Sequence, residues 1–271
     1  MFHRNSVAYK TRKQVIVMPS SFWRVVNEVM KESDILLEVL DSRLVEQTRN
    51  REIEDKARKI RKPLIYVINK CDLVEKGEME KLKKQLTPSV FVSATQRLGT
   101  TILIHEIIKQ TNLLTKKPKK VIIGVLGYPN TGKSSLINML AGRARAKTSP
   151  ISGYTKGKQM VKLQKGIYLM DTPGVLPYRE SDSTKEIIIA SKDQTKLSEP
   201  DLAVMELIRR FKGSIESYYG VKTNEDPEKV LESIAIKYNR VKKGGEPDID
   251  VIARKILQDW QRGKISKLKT Y

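Results

Sequence analysis

Residues 127–134 have the types and spacing of a phosphate-binding loop. They read GYPNTGKS, which fits the pattern G-x-x-x-x-G-K-S/T, and they separate an apolar stretch from a helical one. The glycines allow backbone N–H groups to surround phosphate oxygens at a helix N-terminus, where the helix dipole favours anions. Lys133 is expected to reach the β- and γ-phosphates, and the Ser134 hydroxyl is expected to bind Mg²⁺. The alternative is a glycine turn that matches the pattern by chance.

A second motif would recognise guanine. Residues 69–72 read NKCD, and the Asp72 carboxylate can accept two hydrogen bonds from the N1–H and N2–H₂ edge of that base. Adenine does not offer this pair of donors, so binding it would leave a buried carboxylate unpaired. Lys70 can lie over the base, Asn69 can tie this segment to the phosphate loop, and the backbone of Ser93-Ala94 can contact the guanine oxygen. Alone, each of these motifs is also found in ordinary solvated turns.

A third motif would sense the γ-phosphate. Residues 171–174 read DTPG and follow an apolar strand. The Asp171 carboxylate can hold a water of the Mg²⁺ shell, and the Gly174 N–H can contact the γ-phosphate. This pattern is common in turns, and it gains meaning here from its place after a strand downstream of the phosphate loop.

Short apolar runs that alternate with helical stretches must position these motifs. Continuous apolar strands separated by helices are typical of a parallel sheet covered on both faces. The predicted strands are 35–40, 64–68, 90–92 and 121–126, together with a hairpin of 160–163 and 167–170 at the sheet edge. The predicted helices among them are 22–30, 47–61, 78–86, 100–110 and 132–140.

Past Pro177 the strand signal disappears, and helical spacing remains at 202–211, 230–238 and 249–260. The chain is therefore divided into a basic N-terminal segment with a helix (1–33), an α/β domain (34–178) and a C-terminal all-helical domain (179–271).

The three motifs occur in an unusual order. Most GTPases run from the phosphate loop through the switch threonine and D-x-x-G to N-K-x-D and S-A, whereas here N-K-x-D and S-A precede the phosphate loop. A circular permutation explains this order, because the same sheet is kept while the chain is opened between D-x-x-G and N-K-x-D. We predict an α/β P-loop GTPase fold, circularly permuted (G4-G5-G1-G2-G3), with a C-terminal all-helical domain.

This order resembles that of the circularly permuted GTPases of ribosome assembly, the group that contains bacterial YlqF/RbgA and the nucleolar nucleostemin-like proteins. The resemblance covers nearly the whole chain and includes residues 124–138 and 153–157 around the nucleotide motifs. It also includes KGGEPD at 243–248 and LQDWQRGK at 257–264, which are more discriminating because other GTPases lack them.

The N-terminal part is similar to the nucleolar and archaeal members of this group in Phe22-Trp23, Asp34 and Asp41-Ser42-Arg43. The long charged tails of the nucleolar members are absent from this sequence, which favours a prokaryotic, archaeal member.

The resemblance implies a defined set of functional residues. It makes Thr155 the second Mg²⁺ ligand in the GTP state, and it assigns catalytic roles at the γ-phosphate to Lys133, Thr155 and Gly174. The residues expected to bind GTP or GDP are Asn69, Lys70, Asp72, Ser93, Ala94, Asn130, Thr131, Gly132, Lys133, Ser134, Ser135 and Gly174. The expected metal ligands are Ser134, Thr155 and, through water, Asp171 for Mg²⁺, and Asn130 for K⁺. Asn130 as a side chain that caps the loop is an equally good interpretation.

Two departures from the related patterns bear on catalysis. Bacterial members carry a Pro-Gly-His in the N-terminal segment, whereas residues 17–21 here read VMPSS, so no catalytic histidine is assigned. Many GTPases place a water-orienting glutamine after D-x-x-G, and Val175 stands there instead. Because phosphoryl transfer depends on positioning, this substitution predicts slow intrinsic turnover.

The charge of the chain indicates a polyanionic partner. Of 271 residues, 52 are Lys or Arg and 31 are Asp or Glu, which gives a formal net charge of +21. Such an excess attracts nucleic acid or, less well, an anionic membrane. Three basic clusters are candidates for rRNA contact: residues 116–120, residues 143–147, and a set made of Arg262, Lys264, Lys267 and Lys269. Each cluster taken alone is also compatible with plain solvated surface.

Other features limit the environment of the protein. Cys71 is the one cysteine, which excludes an intrachain disulfide and a multi-cysteine zinc site. No apolar run approaches the roughly 20 residues that span a bilayer, and the first residues do not form a secretory signal. We therefore expect a cytoplasmic protein with neither a membrane nor DNA as a partner.

These observations favour a GTP-hydrolysing assembly factor that acts on the large ribosomal subunit, or its precursor, through rRNA. In this hypothesis, the GTP state fixes the helical domain against RNA and hydrolysis releases it. One alternative is a GTP-gated RNA-binding scaffold whose hydrolysis is incidental. Another is a GTPase that acts in tRNA modification or on membranes, against which the C-terminal resemblance counts.

Overall fold

The computed structural model describes residues 20–114, 119–144, 159–171 and 199–266. In these ranges the chain forms one six-stranded sheet with helices on both faces, followed by a helical segment. The strands are β1 (Ile35–Asp41), β2 (Leu64–Asn69), β3 (Ser89–Phe91), β4 (Val121–Leu126), β5 (Gln159–Gln164) and β6 (Ile167–Asp171). The helices are α1 (Ser20–Glu32), α2 (Val45–Thr48), α3 (Arg51–Lys59), α4 (Lys76–Gln85), α5 (Thr100–Asn112), α6 (Lys133–Ala144), α7 (Pro200–Arg210), α8 (Ser214–Tyr219), α9 (Pro227–Lys237) and α10 (Ile249–Gln261).

The sheet has the order β3-β2-β1-β4-β6-β5, and its strands are parallel except for β5, which runs antiparallel to β6 at the edge. All seven residues of β1 are buried because this strand is central and covered on both faces. The predicted parallel sheet and the edge hairpin are confirmed.

The register of the sheet decides which motif residues come together. Asp41 is level with Asn69 on the neighbouring strand, and Glu38 is level with Leu126, the last residue of β4. The carboxyl ends of β1, β2 and β4 therefore meet at one edge. In parallel α/β sheets this edge is where ligands bind.

Alternate residues of the strands pack into two layers. Ile35, Leu37 and Val39 join the core beneath α5 and α6, whereas Leu36 joins a second core against α1 and α3. This alternation follows from the two-residue period of a strand and fixes the sheet between its helices.

One predicted helix is wrong. Residues 47–61 were expected to be continuous, but α2 ends at Thr48 and α3 begins at Arg51. The Asn50 side chain caps α3 by accepting a hydrogen bond from the Ile53 N–H at 3.1 Å. Asparagine is one of the residues preferred at a helix N-cap, so Asn50 favours the start of a new helix where apolar spacing alone predicts a continuous one.

The C-terminal segment contains the three predicted helices, here α7, α9 and α10, and also α8, which was not predicted. The four helices share one core, which includes Leu207, Ile234, Ile256 and Trp260. Leu44, which follows β1, packs into the same core. Over the described ranges, no helix has the length and apolar character required to cross a membrane.

Candidate nucleotide site

The phosphate-loop sequence lies between the end of β4 and the start of α6, as its pattern requires. Both of its glycines are needed for the close approach of the loop to its neighbours. A Cβ added to Gly127 (φ +147°) would lie 2.5 Å from the Val39 carbonyl oxygen, and one added to Gly132 (φ +95°) would lie 2.2 Å from Asn69 Nδ2. The loop is therefore packed directly against β1 and the end of β2.

Side chains of the loop also hold its shape. The Thr131 hydroxyl donates to the Tyr128 carbonyl at 2.8 Å, and the Lys133 ammonium donates to the same oxygen at 2.6 Å. Ser134 and Ser135 are exposed in the first turn of α6. The N–H groups and hydroxyls at this helix start can serve an anion and its metal ion.

Asn69 joins the phosphate loop to the guanine motif. Its Nδ2 donates to the Thr131 carbonyl at 2.8 Å, and its Oδ1 accepts from the Ala94 N–H at 3.1 Å. Both bonds are buried or partly buried. One side chain thus holds three loops at the same edge of the sheet, and this is the link that the sequence predicts for Asn69.

These loops surround one cavity of about 370 Å³. The predicted residues that line it are Asn69, Lys70, Asp72, Ala94, Asn130, Gly132, Lys133, Ser134 and Ser135. Asp72 is exposed there, which leaves its carboxylate available to a base. The cavity therefore brings the phosphate motif and the guanine motif to the two sides of a single site.

Two predicted residues lie behind the cavity wall. Ser93 is buried, and its hydroxyl accepts from the Gln96 N–H at 3.2 Å, which shapes the loop that carries Ala94. Thr131 is buried as well and holds the phosphate loop through Tyr128 and Asn69. Both residues thus hold loops that line the cavity, but they do not line it themselves.

Other predicted residues are outside the described part of the chain. Thr155 and Gly174 fall there, and only the backbone of Asp171 is described. Asp171 ends β6, the strand next to β4, so its position is at the phosphate edge of the sheet. Within the described ranges, no group of three or more His, Cys, Asp or Glu residues could hold a metal ion.

Comparison with known proteins decides the family. The family model described as "RsgA GTPase" matches residues 32–179, which is more than half of the chain, and the model described as "50S ribosome-binding GTPase" matches residues 122–239. The first match spans the N-K-x-D motif and the phosphate loop in their permuted order. The chain belongs to the circularly permuted GTPases.

Related proteins match most of this permuted GTPase. The uncharacterised GTP-binding protein MJ1464 of Methanocaldococcus jannaschii is 44% identical over 253 residues, covering 91% of this chain and 66% of its own length. Nucleolar GTP-binding protein 2 of Saccharomyces cerevisiae is 34% identical over 252 residues, covering 90% of this chain and 52% of its own. The chain thus spans under two thirds of the archaeal relative and about half of the nucleolar one.

A solved structure supports the fold. The crystal structure of GNP-bound YlqF from T. maritima superposes with a TM-score of 0.67 at 22% identity, covering 92% of this chain and 98% of that one. At this identity the likeness concerns the fold alone.

The cavity has a third side that the sequence did not indicate. Gln261, Arg262 and Gly263, which end α10 and follow it, line it together with Leu73, Thr95 and Pro129. The resemblance in residues 257–264 singled out this helix end as a family feature. Its position beside the nucleotide motifs could not be read from a segment so distant in the chain.

Behind this side of the cavity lies a buried ionic cluster of Asp41, Arg43 and Lys70. Arg43 donates to both Asp41 carboxylate oxygens, with Nε at 3.0 Å and Nη2 at 2.8 Å. The Lys70 ammonium donates to Asp41 Oδ2 at 2.7 Å. Burial opposes ionisation of Asp41, but the two cations outweigh it and hold the pKa of this carboxyl well below its usual range. The ammonium of Lys70 is thus held at Asp41, while Lys70 also lines the cavity.

Arg43 also reaches the end of α10. Its Nη1 donates to the Trp260 carbonyl at 3.0 Å and to the Ile265 carbonyl at 3.2 Å, and its Cζ lies 4.0 Å from the centre of a Trp260 ring. Trp260 is 1% exposed and lies in the core of the helical segment. The two segments that the resemblance marked at residues 41–43 and 257–264 therefore contact each other.

Proposed function

We propose that this permuted GTPase binds GTP and GDP and hydrolyses GTP to GDP and phosphate. The observation that carries the proposal is the single cavity lined on one side by Gly132, Lys133 and Ser134 and on the other by Asn69 and Asp72. An anionic phosphate chain fits the first side, and a base with paired N–H donors fits the second.

The roles proposed for individual residues follow from their positions. Lys133 would neutralise charge on the β- and γ-phosphates, and Ser134 would bind Mg²⁺ with Thr155 and, through water, Asp171. When bound, Mg²⁺ supplies further charge neutralisation to the phosphates. Gly174 would contact the γ-phosphate.

Asn130 is the proposed K⁺ ligand. It lines the cavity with a φ of +60°, a backbone conformation that asparagine tolerates better than most residues. A monovalent cation here would add positive charge beside the phosphates. Val175 offers no group to hold the attacking water, so turnover without a partner is expected to be slow.

We propose the large ribosomal subunit or its precursor as the partner, with contacts to rRNA. Support comes from the description of the matching model at residues 122–239, from the nucleolar relatives and from the net charge of +21. We assign rRNA contact chiefly to the helical domain (179–271), and we place the protein in the cytoplasm.

Two members of the predicted basic clusters already have local partners. Lys264 forms an ion pair with Asp259 at 2.9 Å, and Arg262 lines the nucleotide cavity. Lys119 and Lys120, which are exposed on the α/β domain, are additional candidates for RNA contact.

Turnover measurements test this function. We expect slow hydrolysis of GTP by the protein alone, faster hydrolysis in KCl than in NaCl at matched ionic strength, and a many-fold increase when purified large subunits are added. Hydrolysis of ATP, measured in parallel, should be at background level because adenine cannot pair with Asp72.

Each arm of this experiment tests a different part of the proposal. Equal rates in KCl and NaCl would remove the ion role of Asn130. Subunits that neither bind nor stimulate would remove the ribosomal partner. GTP-dependent RNA binding that persists when hydrolysis is blocked would favour the scaffold alternative.

A further inference from the structure

We propose that the turn at the end of α10, residues 261–263, is part of the nucleotide site and forms the wall beside the base. We further propose that Arg43 is the positioning residue that holds this wall in place. The inference rests on the proposed binding of guanine nucleotides, and it adds a contribution from the helical segment to that site.

The turn lies against the guanine motif. A Cβ added to Gly263, whose φ is +71°, would be 3.2 Å from Leu73 Cδ1 and 3.9 Å from Lys70 Cδ. The Gln261 carbonyl accepts a hydrogen bond from the Lys70 ammonium at 3.3 Å. Since Lys70 and Leu73 flank Asp72 in sequence, the turn is beside the group that would bind the base edge.

Buried polar contacts keep the turn there. The side chain of Arg43 is 1% exposed, and its Nη1 donates both of its hydrogen bonds to backbone carbonyls at the end of α10, those of Trp260 and Ile265. Moving the turn away would leave a buried guanidinium without these acceptors, which is strongly unfavourable. A base in the cavity would therefore meet a preformed wall.

The cluster also adjoins the phosphate loop. A second cavity of about 10 Å³, close to the size of one water, is lined by Asp41, Arg43, Trp260 and the loop residues Pro129–Thr131 among others. The Arg43 cluster thus lies directly behind the loop. The same buried cluster therefore contacts the phosphate loop, the guanine motif and the end of α10.

Arg262 gives this wall a positive charge. Its side chain is exposed and lines the main cavity, whereas Arg240, in the same helical segment, is exposed but does not line it. Replacing either residue by glutamate changes the net charge of the chain equally. The two variants therefore separate a local effect on the nucleotide from a general effect of charge.

The first experiment measures the affinity of the full chain for mant-GDP with Mg²⁺. We expect Arg262→Glu to weaken binding about tenfold because a carboxylate then faces an anionic ligand. Arg240→Glu should stay within about twofold of the wild type. Substituting the buried Arg43 would affect folding as well as binding, so the exposed Arg262 is the better residue to substitute.

The second experiment follows the helix end directly. The chain has two tryptophans, so a Trp23→Phe variant leaves Trp260 as the single tryptophan, which is excited selectively over the tyrosines at the red edge of the absorption band. Addition of GDP should change the Trp260 emission, because its ring packs on Arg43 behind the cavity, and ADP at the same concentration should not.

The outcomes distinguish two kinds of failure. If the wild-type chain does not bind mant-GDP, the proposed function fails. If it binds, but Arg262→Glu and Arg240→Glu have equal affinities and Trp260 emission does not respond to GDP, the function stands and this inference is wrong.

Discussion

Two buried carboxylates on β1 illustrate how placement decides the ionisation of a residue. Glu38 accepts a hydrogen bond from the Asn50 N–H at 2.7 Å, but burial dominates and raises its pKa to about 8. Asp41 is equally buried, yet the cations of Arg43 and Lys70 lower its pKa. Glu38 is therefore favoured as the neutral acid and Asp41 as the anion.

The raised pKa of Glu38 predicts a loss of stability with rising pH. Its folded pKa, about 8, exceeds the ordinary value of 4.5, so its stabilising effect is complete below the ordinary value and is lost as pH rises through about 8. Between about pH 5.5 and pH 8.5 this group should remove about 2–4 kcal/mol from the free energy of unfolding. Asp41 stays ionised throughout this window and does not contribute to the change.

Urea unfolding of Glu38→Gln at both pH values checks this prediction. The variant should keep the hydrogen bond from Asn50 and lose most of the pH-dependent decline. Glu52→Gln, at an exposed position of α3, is the matched control and should decline like the wild type. Parallel declines in all three proteins would contradict the assignment.

At this scale, sequence reasoning reaches residues whose chemistry depends on type and local spacing. The pattern at 127–134 and the NKCD motif identify residues by type and spacing, and nine of the predicted binders line the cavity. Glu38 lies inside an apolar run, and the spacing of that run says nothing of its ionisation. Arg43 had no evident role until its partners at Trp260 and Ile265, more than 200 positions away, were known.

At the scale of elements, strands were predicted better than helix ends. Each predicted strand appears within a residue or two of its expected limits, because continuous apolar runs with breaks have few other interpretations. The break at Asn50 and the short α8 depend on capping and on tertiary packing, which periodicity does not record.

Helix α10 depends on one buried carboxylate near its end. Asp259 accepts from the Tyr219 hydroxyl at 2.9 Å and pairs with Lys255 at 3.0 Å and Lys264 at 2.9 Å. It thereby joins α8, α10 and the residues that follow α10. Burial disfavours its charge, but the hydrogen bonds from Lys264, Lys255 and Tyr219 together lower its pKa.

We expect Asp259→Asn to destabilise the helical segment by about 2 kcal/mol, since the ion pairs with both lysines are lost. Asp250→Asn on the same helix removes an exposed pair with Arg254 and should change stability by less than about 1 kcal/mol. The shift in urea midpoint, followed by far-ultraviolet circular dichroism, compares the two. Equal shifts would show that Asp259 is not a structural anchor.

For the whole molecule, the dominant property is its charge. An excess of 21 positive charges attracts polyanions over a long range, but this attraction does not distinguish one nucleic-acid sequence from another. Any selectivity for a particular RNA must therefore come from shape and from particular contacts, which the sequence does not specify.

This charge predicts a steep salt dependence of RNA binding. Between about 50 and about 200 mM KCl, we expect the affinity for a structured RNA to fall at least tenfold. A tenfold fall requires only about two contacts between basic side chains and phosphates. Fluorescence polarisation with that RNA and with one of scrambled sequence should give similar slopes of log affinity against log salt. Affinity that does not change with salt would contradict an electrostatic origin.

The buried ionic cluster of Asp41, Arg43 and Lys70 joins the end of α10 to the base side of the proposed ligand. Helix α10 has 13 residues and is therefore about 20 Å long, so its start at Ile249 lies far from the nucleotide, while its end at Gln261 adjoins the base side. Because α10 packs in the core of the helical segment, its two ends move together with that segment. We therefore expect a partner that displaces the segment to alter how long GDP stays in the proposed site, without approaching the phosphate loop.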